Sequence, residues 1–203
     1  MSRKQAPEPS LEVDLELHPS GIVPEITNIV TSATCNIELD LKFLAEKIGN
    51  AIYNPRKFPA MNIKLKDPKS TVLMFKNGRI VITGARSVED TRQALKKVKR
   101  MMKSLNIDAR ITDITYHNFL ARAQCQFQIN LTQFQQQNAK MSHYEPEMFA
   151  GLIYTIAAQQ VKIIAFKSGK ISIVGAKSVE AVTTAFETVY PMLKQNRMNK
   201  ASR

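Results

Sequence analysis

Four phenylalanines fall in two pairs, Phe58 with Phe75 and Phe149 with Phe166, and the spacing within each pair is 17 residues. Asn28 and Asn118 stand upstream of the pairs at nearly matching distances. The chain around them is basic. Residues 51–100 hold 13 Lys and Arg against three Asp and Glu, and the whole chain has 29 against 17, a net charge of +12. Such a set can recognise a stacked polyanion: apolar wedges part neighbouring bases, amides donate to base-edge acceptors, and cations hold phosphates. A lone phenylalanine more often anchors a core, and a basic cluster is often a solvated face. Two pairs with one spacing favour the wedge reading.

Little in the chain suits catalysis. His18, His117 and His143 are scattered, no metal-ligand spacing appears, and the carboxylates form no acid–base pair. A nucleotide-binding glycine loop is missing as well. Neither catalytic activity, metal nor cofactor is expected. Cys35 and Cys125 occupy matching places and read as reduced core thiols of an intracellular protein, with a bond between them left open. No apolar run has the length of a membrane span, and no signal-peptide segment opens the chain.

The elements that must position these residues are written twice. Residues 75–90 read FKNGRIVITGARSVED and residues 166–181 read FKSGKISIVGAKSVEA, 91 positions later. Tyr53-x-Pro55-x-x-Phe58 matches Tyr144-x-Pro146-x-x-Phe149, while Asn28 and Asn118 correspond with a one-residue slip. A period this long means a duplicated half-domain, not a solenoid unit, and implies a pseudo-two-fold axis. Residues 1–20 read as a flexible tail in which LEVDLEL could add a strand; 21–109 form the first repeat, and 110–203 the second with a short basic C-terminal tail.

Within a repeat, alternation over Ile26–Ala33 predicts a strand, and Asp40 caps a helix over Leu41–Asn50. Strands follow at Met61–Lys66, Thr71–Phe75 and Arg79–Thr83. Asn77-Gly78 predicts a two-residue hairpin turn, with Ser168-Gly169 in its place in the second half. Ser87-x-x-Asp90 then opens a long helix as a capping box. Its buried stripe is Val88, Thr91, Leu95, Val98, Met102 and Leu105, and its opposite face is basic through Arg92, Lys96, Lys97, Lys99, Arg100 and Lys103. The second long helix repeats the stripe at Val179, Val182, Phe186, Val189 and Leu193 but lacks the basic face, and Pro191 should kink or tighten it. Two halves fused through their first strands would make one antiparallel sheet with helices on one face. The other, open face would carry Val30, Leu73, Val81, Leu120 and Ile164.

From Gly21 to Arg197 the chain resembles the TATA-box-binding protein family. The motifs that carry the likeness are SGIVPEITNIV, YNPRKF, F-x-x-G-R-I-V-I-T-G-A-R, SHYEPEMFAGLIY and AFETVYPML. The resemblance implies an α+β saddle, a curved ten-stranded antiparallel sheet with four helices on its convex face. It implies DNA bound in the minor groove of a TATA-like promoter, bent by Phe58 with Phe75 and Phe149 with Phe166. Asn28 and Asn118 would be the central groove-reading amides, with Thr83 beside them. Val30, Leu73, Val81, Leu120 and Ile164 would touch base edges, and Arg56, Lys57, Lys64, Arg86, Lys162 and Lys177 would supply basic contacts. Glu145, Glu147 and Met148 resemble the segment that meets transcription factor IIB. Lys96, Lys97 and Arg100 resemble the surface for transcription factor IIA and a competing negative cofactor. TATA-box-binding-protein-associated factors are further implied partners, as is self-association through the open face. Archaeal members tend to be acidic, so the basic balance suggests a eukaryotic nuclear protein.

The second half departs from the family pattern. Val174 replaces a groove threonine, Ser172 and Lys162 replace valines, Arg122 replaces a small residue, Thr155 an arginine and Ala150 a proline. These changes imply a more polar, more basic second face. They support an alternative, a related factor with relaxed TATA preference acting mainly through partner contacts. An enzymatic alternative, by analogy with saddle-like modules in DNA glycosylases, finds no residues to carry it.

Overall fold

Alternation from Glu25 to Thr34 forms strand β1, which buries Ile29, Thr31 and Ala33 and leaves Asn28, Val30 and Ser32 half-exposed on the other side. The computed structural model describes residues 20–198, so the expected LEVDLEL strand lies outside the described residues. Helix α1 (Leu41–Lys47) begins where the Asp40 carboxylate accepts the N–H groups of Lys42 and Phe43. It ends short of the expected Asn50. Ile48 turns to an extended conformation, and Asn50 donates its side-chain amide to the Lys64 carbonyl. Two short edge strands, β2 (Ala51–Ile52) and β7 (Ser142–His143), carry no sequence signal of their own.

Strands β3 (Ala60–Leu65), β4 (Ser70–Phe75) and β5 (Arg79–Ala85) complete the first half of the sheet. The β4–β5 turn differs from the expected two-residue form. Gly78 N–H bonds Phe75 O at 3.0 Å, and Gly78 takes a left-handed φ of 81° while Asn77 does not. This is the longer hairpin loop that closes on a left-handed glycine. Gly78 O also accepts Cys35 N–H, and a Cβ on Gly78 would lie 2.4 Å from Ile37 O. Gly169 repeats the arrangement against Cys125 and Phe127.

Helix α2 (Val88–Ser104) starts at Ser87, whose hydroxyl accepts Asp90 N–H; Asp90 reaches back to Arg86 N–H, one residue beyond the usual capping-box partner. Its stripe of Thr91, Ala94, Leu95, Val98 and Met102 is buried. Each large apolar member contributes about 1.5–3 kcal/mol on burial. The second half follows the same order: β6 (Thr112–Gln124), α3 (Leu131–Gln137), β7, β8 (Gly151–Ile156), β9 (Val161–Phe166), β10 (Lys170–Ala176) and α4 (Val179–Gln195). Pro191 does not end α4, which continues to Gln195; the proline lies on the exposed side of that helix.

All ten strands join one antiparallel sheet in the order β2-β3-β4-β5-β1-β6-β10-β9-β8-β7. The halves meet through β1 and β6, as the duplication predicts. Two cores lie on the helix-covered face, one holding Leu44, Ile63, Val72, Ile82 and Val98, the other Phe119, Phe134, Ile163, Ile173 and Phe186. Ile22 and Ile29 belong to the second core although they precede the first half's helices, so the halves interlock. Cys35 and Cys125 are free and buried, one in each core.

Candidate nucleic-acid interface

The centre of the uncovered face is built by two β-bulges. Thr83 and Gly84 together oppose the single residue Val30, and Val174 and Gly175 oppose Leu120. A bulge leaves an N–H outside the ladder. Here Gly84 N–H reaches Asn28 Oδ1 at 2.6 Å, and Gly175 N–H reaches Asn118 Oδ1 at 2.8 Å. A backbone N–H can only donate, so each bond fixes the amide oxygen inward and turns the two Nδ2 donors outward. Asn28 faces Leu120 across the strands and Asn118 faces Val30, which places the pseudo-two-fold axis between them. Thr83 adds a second bond to Asn28 Oδ1 at 3.2 Å. Asn118 has no such partner, because Val174 stands in the threonine's place.

Rows of side chains step outward from the asparagines. Nearest them, Thr83, Thr71 and Lys64 lie side by side in the first half, and Val174, Lys162 and Thr155 in the second. The lysine has therefore moved one strand inward, not been added. The next row holds Ser32, Val81, Leu73 and Asn62 against Arg122, Ser172, Ile164 and Ile153. Arg122 binds Glu25 through Nε at 3.0 Å and Nη2 at 2.9 Å, so its charge is compensated. The expectation of a more basic second face is thus not met in these rows. It is more polar. Both partners are over half exposed, and the ion pair contributes about 0–1 kcal/mol to stability. Ser32 contacts His117 Nε2 at 2.6 Å.

The phenylalanine pairs close the two ends. Phe58 and Phe75 meet edge to face with centroids 6.3 Å apart; Phe149 and Phe166 do so at 5.9 Å. Phe58 is 48% exposed and Phe149 46%, values that a core anchor would not show. Phe149 rests against Gly151, where a Cβ would come within 2.7 Å of the ring. Each outer phenylalanine ends a tight turn, with Phe58 N–H on Asn54 O and Phe149 N–H on Glu145 O. Arg56 and Lys57 are exposed in the first of these turns, and Arg86 and Lys177 directly follow β5 and β10.

The outer surfaces differ between the halves. Glu145, Glu147 and Met148 are exposed in the β7–β8 turn, Met148 by 84%, where the first half has Asn54, Arg56 and Lys57. On α2, Lys96 and Arg100 are exposed, whereas Lys97 is tied to the Asp67 carbonyl and lies 3.4 Å from its carboxylate. Sequence reasoning missed the roles of Gly84, Gly175 and Glu25. The glycines leave a trace, recurring in both repeats just before an alanine; Glu25 leaves none, since its partner is 97 residues away. Among the described residues no group of three His, Cys, Asp or Glu could hold a metal.

Fold and open face together define a tandem-repeat α+β protein that presents one uncovered, pseudo-two-fold sheet face. The chain belongs to the family described as transcription factor TFIID (or TATA-binding protein, TBP), whose model matches residues 23–105 and 113–196. It is 41% identical over 185 residues to a TATA-box-binding protein of Dictyostelium discoideum, covering 91% of this chain and 90% of that one. To TATA-box-binding protein 2 of Arabidopsis thaliana it is 40% identical over 193 residues, 95% and 96% of the two chains. The solved Methanococcus jannaschii TBP superposes with a TM-score of 0.77 at 32% identity, covering 85% of this chain and 98% of that one.

Proposed function

We propose that the open face binds the minor groove of A·T-rich, TATA-like promoter DNA. It bends the duplex by inserting its two phenylalanine pairs, and the protein acts in the nucleus as a general transcription factor that nucleates an initiation complex. The observation that carries this reading is the fixed orientation of Asn28 and Asn118. Their outward Nδ2 groups match the minor groove of A·T pairs, which offers only acceptors. Half-exposed aromatic pairs at both ends suit minor-groove wedges, a mode of which TATA-binding proteins are themselves a standard example. Lys64, Lys162, Arg56, Lys57, Arg86 and Lys177 would hold phosphates and supply much of the affinity without reading sequence.

The acidic β7–β8 turn suits transcription factor IIB, and the basic face of α2 suits transcription factor IIA or the negative cofactor. Associated factors would share these outer surfaces. A second reading, relaxed sequence preference, is favoured by one observation: Val174 leaves Asn118 without the hydroxyl partner that Asn28 has. The test is DNA bending by fluorescence transfer between duplex ends. Phe58→Ala with Phe75→Ala should reduce the bend and weaken binding by about 2–4 kcal/mol through lost unstacking contacts, with the fold retained. A full bend in the folded double variant would overturn the wedge role.

A further inference from the structure

The minor-groove reading above is the basis of this inference, which concerns the base pairs that the second half admits. From the minor groove, A·T pairs show only acceptors, and guanine adds one donor, its 2-amino group. A face without a free acceptor strands that donor and so selects against G·C. The outer row of the first half offers no acceptor at its centre. Val81 and Leu73 are apolar, the Ser32 hydroxyl is engaged by His117, and the Asn62 Oδ1 is buried.

The corresponding row of the second half is different. Ser172 takes the place of Val81, half-exposed, and no group among the described residues is bonded to its hydroxyl. On the adjacent strand its direct neighbour is Arg122. Arg122 directs both of its bonds to Glu25 Oε2, which leaves Oε1 with its acceptor capacity unspent. The guanidinium offsets the charge that would otherwise keep a carboxylate away from phosphates. At this position the second half therefore presents a hydroxyl acceptor, with a carboxylate oxygen nearby, where the first half presents the apolar Val81.

We propose that the second half of the open face accepts one G·C base pair. Ser172 Oγ receives the unpaired hydrogen of the guanine 2-amino group, and the Arg122–Glu25 pair beside it keeps that position polar. The first half admits A·T alone there. Because the saddle can sit on a near-symmetric site in either direction, the clearest signature does not depend on orientation. One G·C pair is tolerated in either half-site, but two at symmetry-related steps are not.

The experiment measures affinity for an all-A·T duplex, for duplexes with one G·C pair moved stepwise through a half-site, and for duplexes with two at related steps. A parallel set replaces guanine with inosine, which lacks the 2-amino group. One step should tolerate a single G·C within about threefold, whereas the double substitution there should cost about tenfold or more. Inosine should restore binding of the double duplex. Ser172→Val should turn the tolerated single G·C into a loss of about tenfold while leaving inosine unpenalised, and Val81→Ser should rescue the double duplex. Should Ser172→Val not fold, the guanine–inosine comparison and Val81→Ser still decide. A tolerant step that survives in folded Ser172→Val, or the lack of any tolerant step, overturns the proposal alone. Failure to bind the all-A·T duplex overturns the minor-groove reading itself.

Discussion

Asn28 shows how one bond sets a residue's role. Gly84 N–H holds its oxygen, so changing Asn28 to aspartate keeps that bond and reverses only what faces outward. Asn28→Asp should fold with a near-wild-type thermal midpoint yet weaken DNA binding by about 2–4 kcal/mol, since two donors become a carboxylate facing acceptors and phosphates. Calorimetry paired with a mobility shift separates the two effects; equal loss from a fold defect would count against the assignment. The cysteines are silent by comparison. Burial pushes the Cys125 thiol up from its ordinary 9.0 to about 11, and desolvation is also the main cause that raises Cys35. A raised folded pKa means the neutral thiol is favoured in the fold, so its contribution is full below about pH 9 and is lost as pH rises toward 11. Wild type should lose urea stability across that window relative to Cys125→Ala, with the two curves parallel at neutral pH.

At the scale of elements, the two halves use the same strands with permuted side chains. Lys64 on β3 faces Thr71 on β4, while Thr155 on β8 faces Lys162 on β9. Exchanging them, Thr155→Lys with Lys162→Thr, should leave the salt dependence of binding unchanged, because the number of cations is the same. It should sharpen base preference under the second half, where a charged side chain leaves the inner row. A salt titration with a site-selection readout checks both; a slope altered by about one phosphate equivalent would mean that only one of the two positions reaches the backbone. Turns matter as much as strands. The left-handed Gly78 and Gly169 pack their loops onto the Cys35 and Cys125 segments so closely that any side chain there would force the hairpin from its core.

Across the whole molecule, pseudo-symmetry creates a problem of direction that the open face alone does not solve on an all-A·T site. Asymmetric outer charge supplies an answer: Glu145 and Glu147 at one end, Arg56 and Lys57 at the other, and Lys96 and Arg100 on α2. Under the proposed function, opposite charges at the ends would recruit different partners and repel the wrong ones. Glu145→Arg with Glu147→Arg should cost transcription factor IIB binding about tenfold or more while binary DNA affinity holds, and Lys96→Glu with Arg100→Glu should instead impair transcription factor IIA. Both partners titrated onto preformed DNA complexes of each variant give the result. Equal weakening of both by either reversal would reduce these surfaces to solvated faces.

The duplication, the strand and helix order apart from the edge strands β2 and β7, the helix caps at Asp40 and Ser87, and the paired phenylalanines were all legible in the sequence, because each rests on local periodicity or on one half repeating the other. Family motifs extended that reading to a ten-stranded sheet. What the tertiary structure alone decided is long-range. The Glu25–Arg122 and Ser32–His117 contacts join residues 97 and 85 positions apart, across strands whose register is set by bulges. Which way the asparagine amides point depends on glycine N–H groups more than 50 positions away that the bulges release from the ladder. Lys97 reads as one more cation on a helix face, yet packing brings Asp67 against it. Local pattern specifies which face of an element a side chain occupies; only the pairing of distant strands specifies what it meets there.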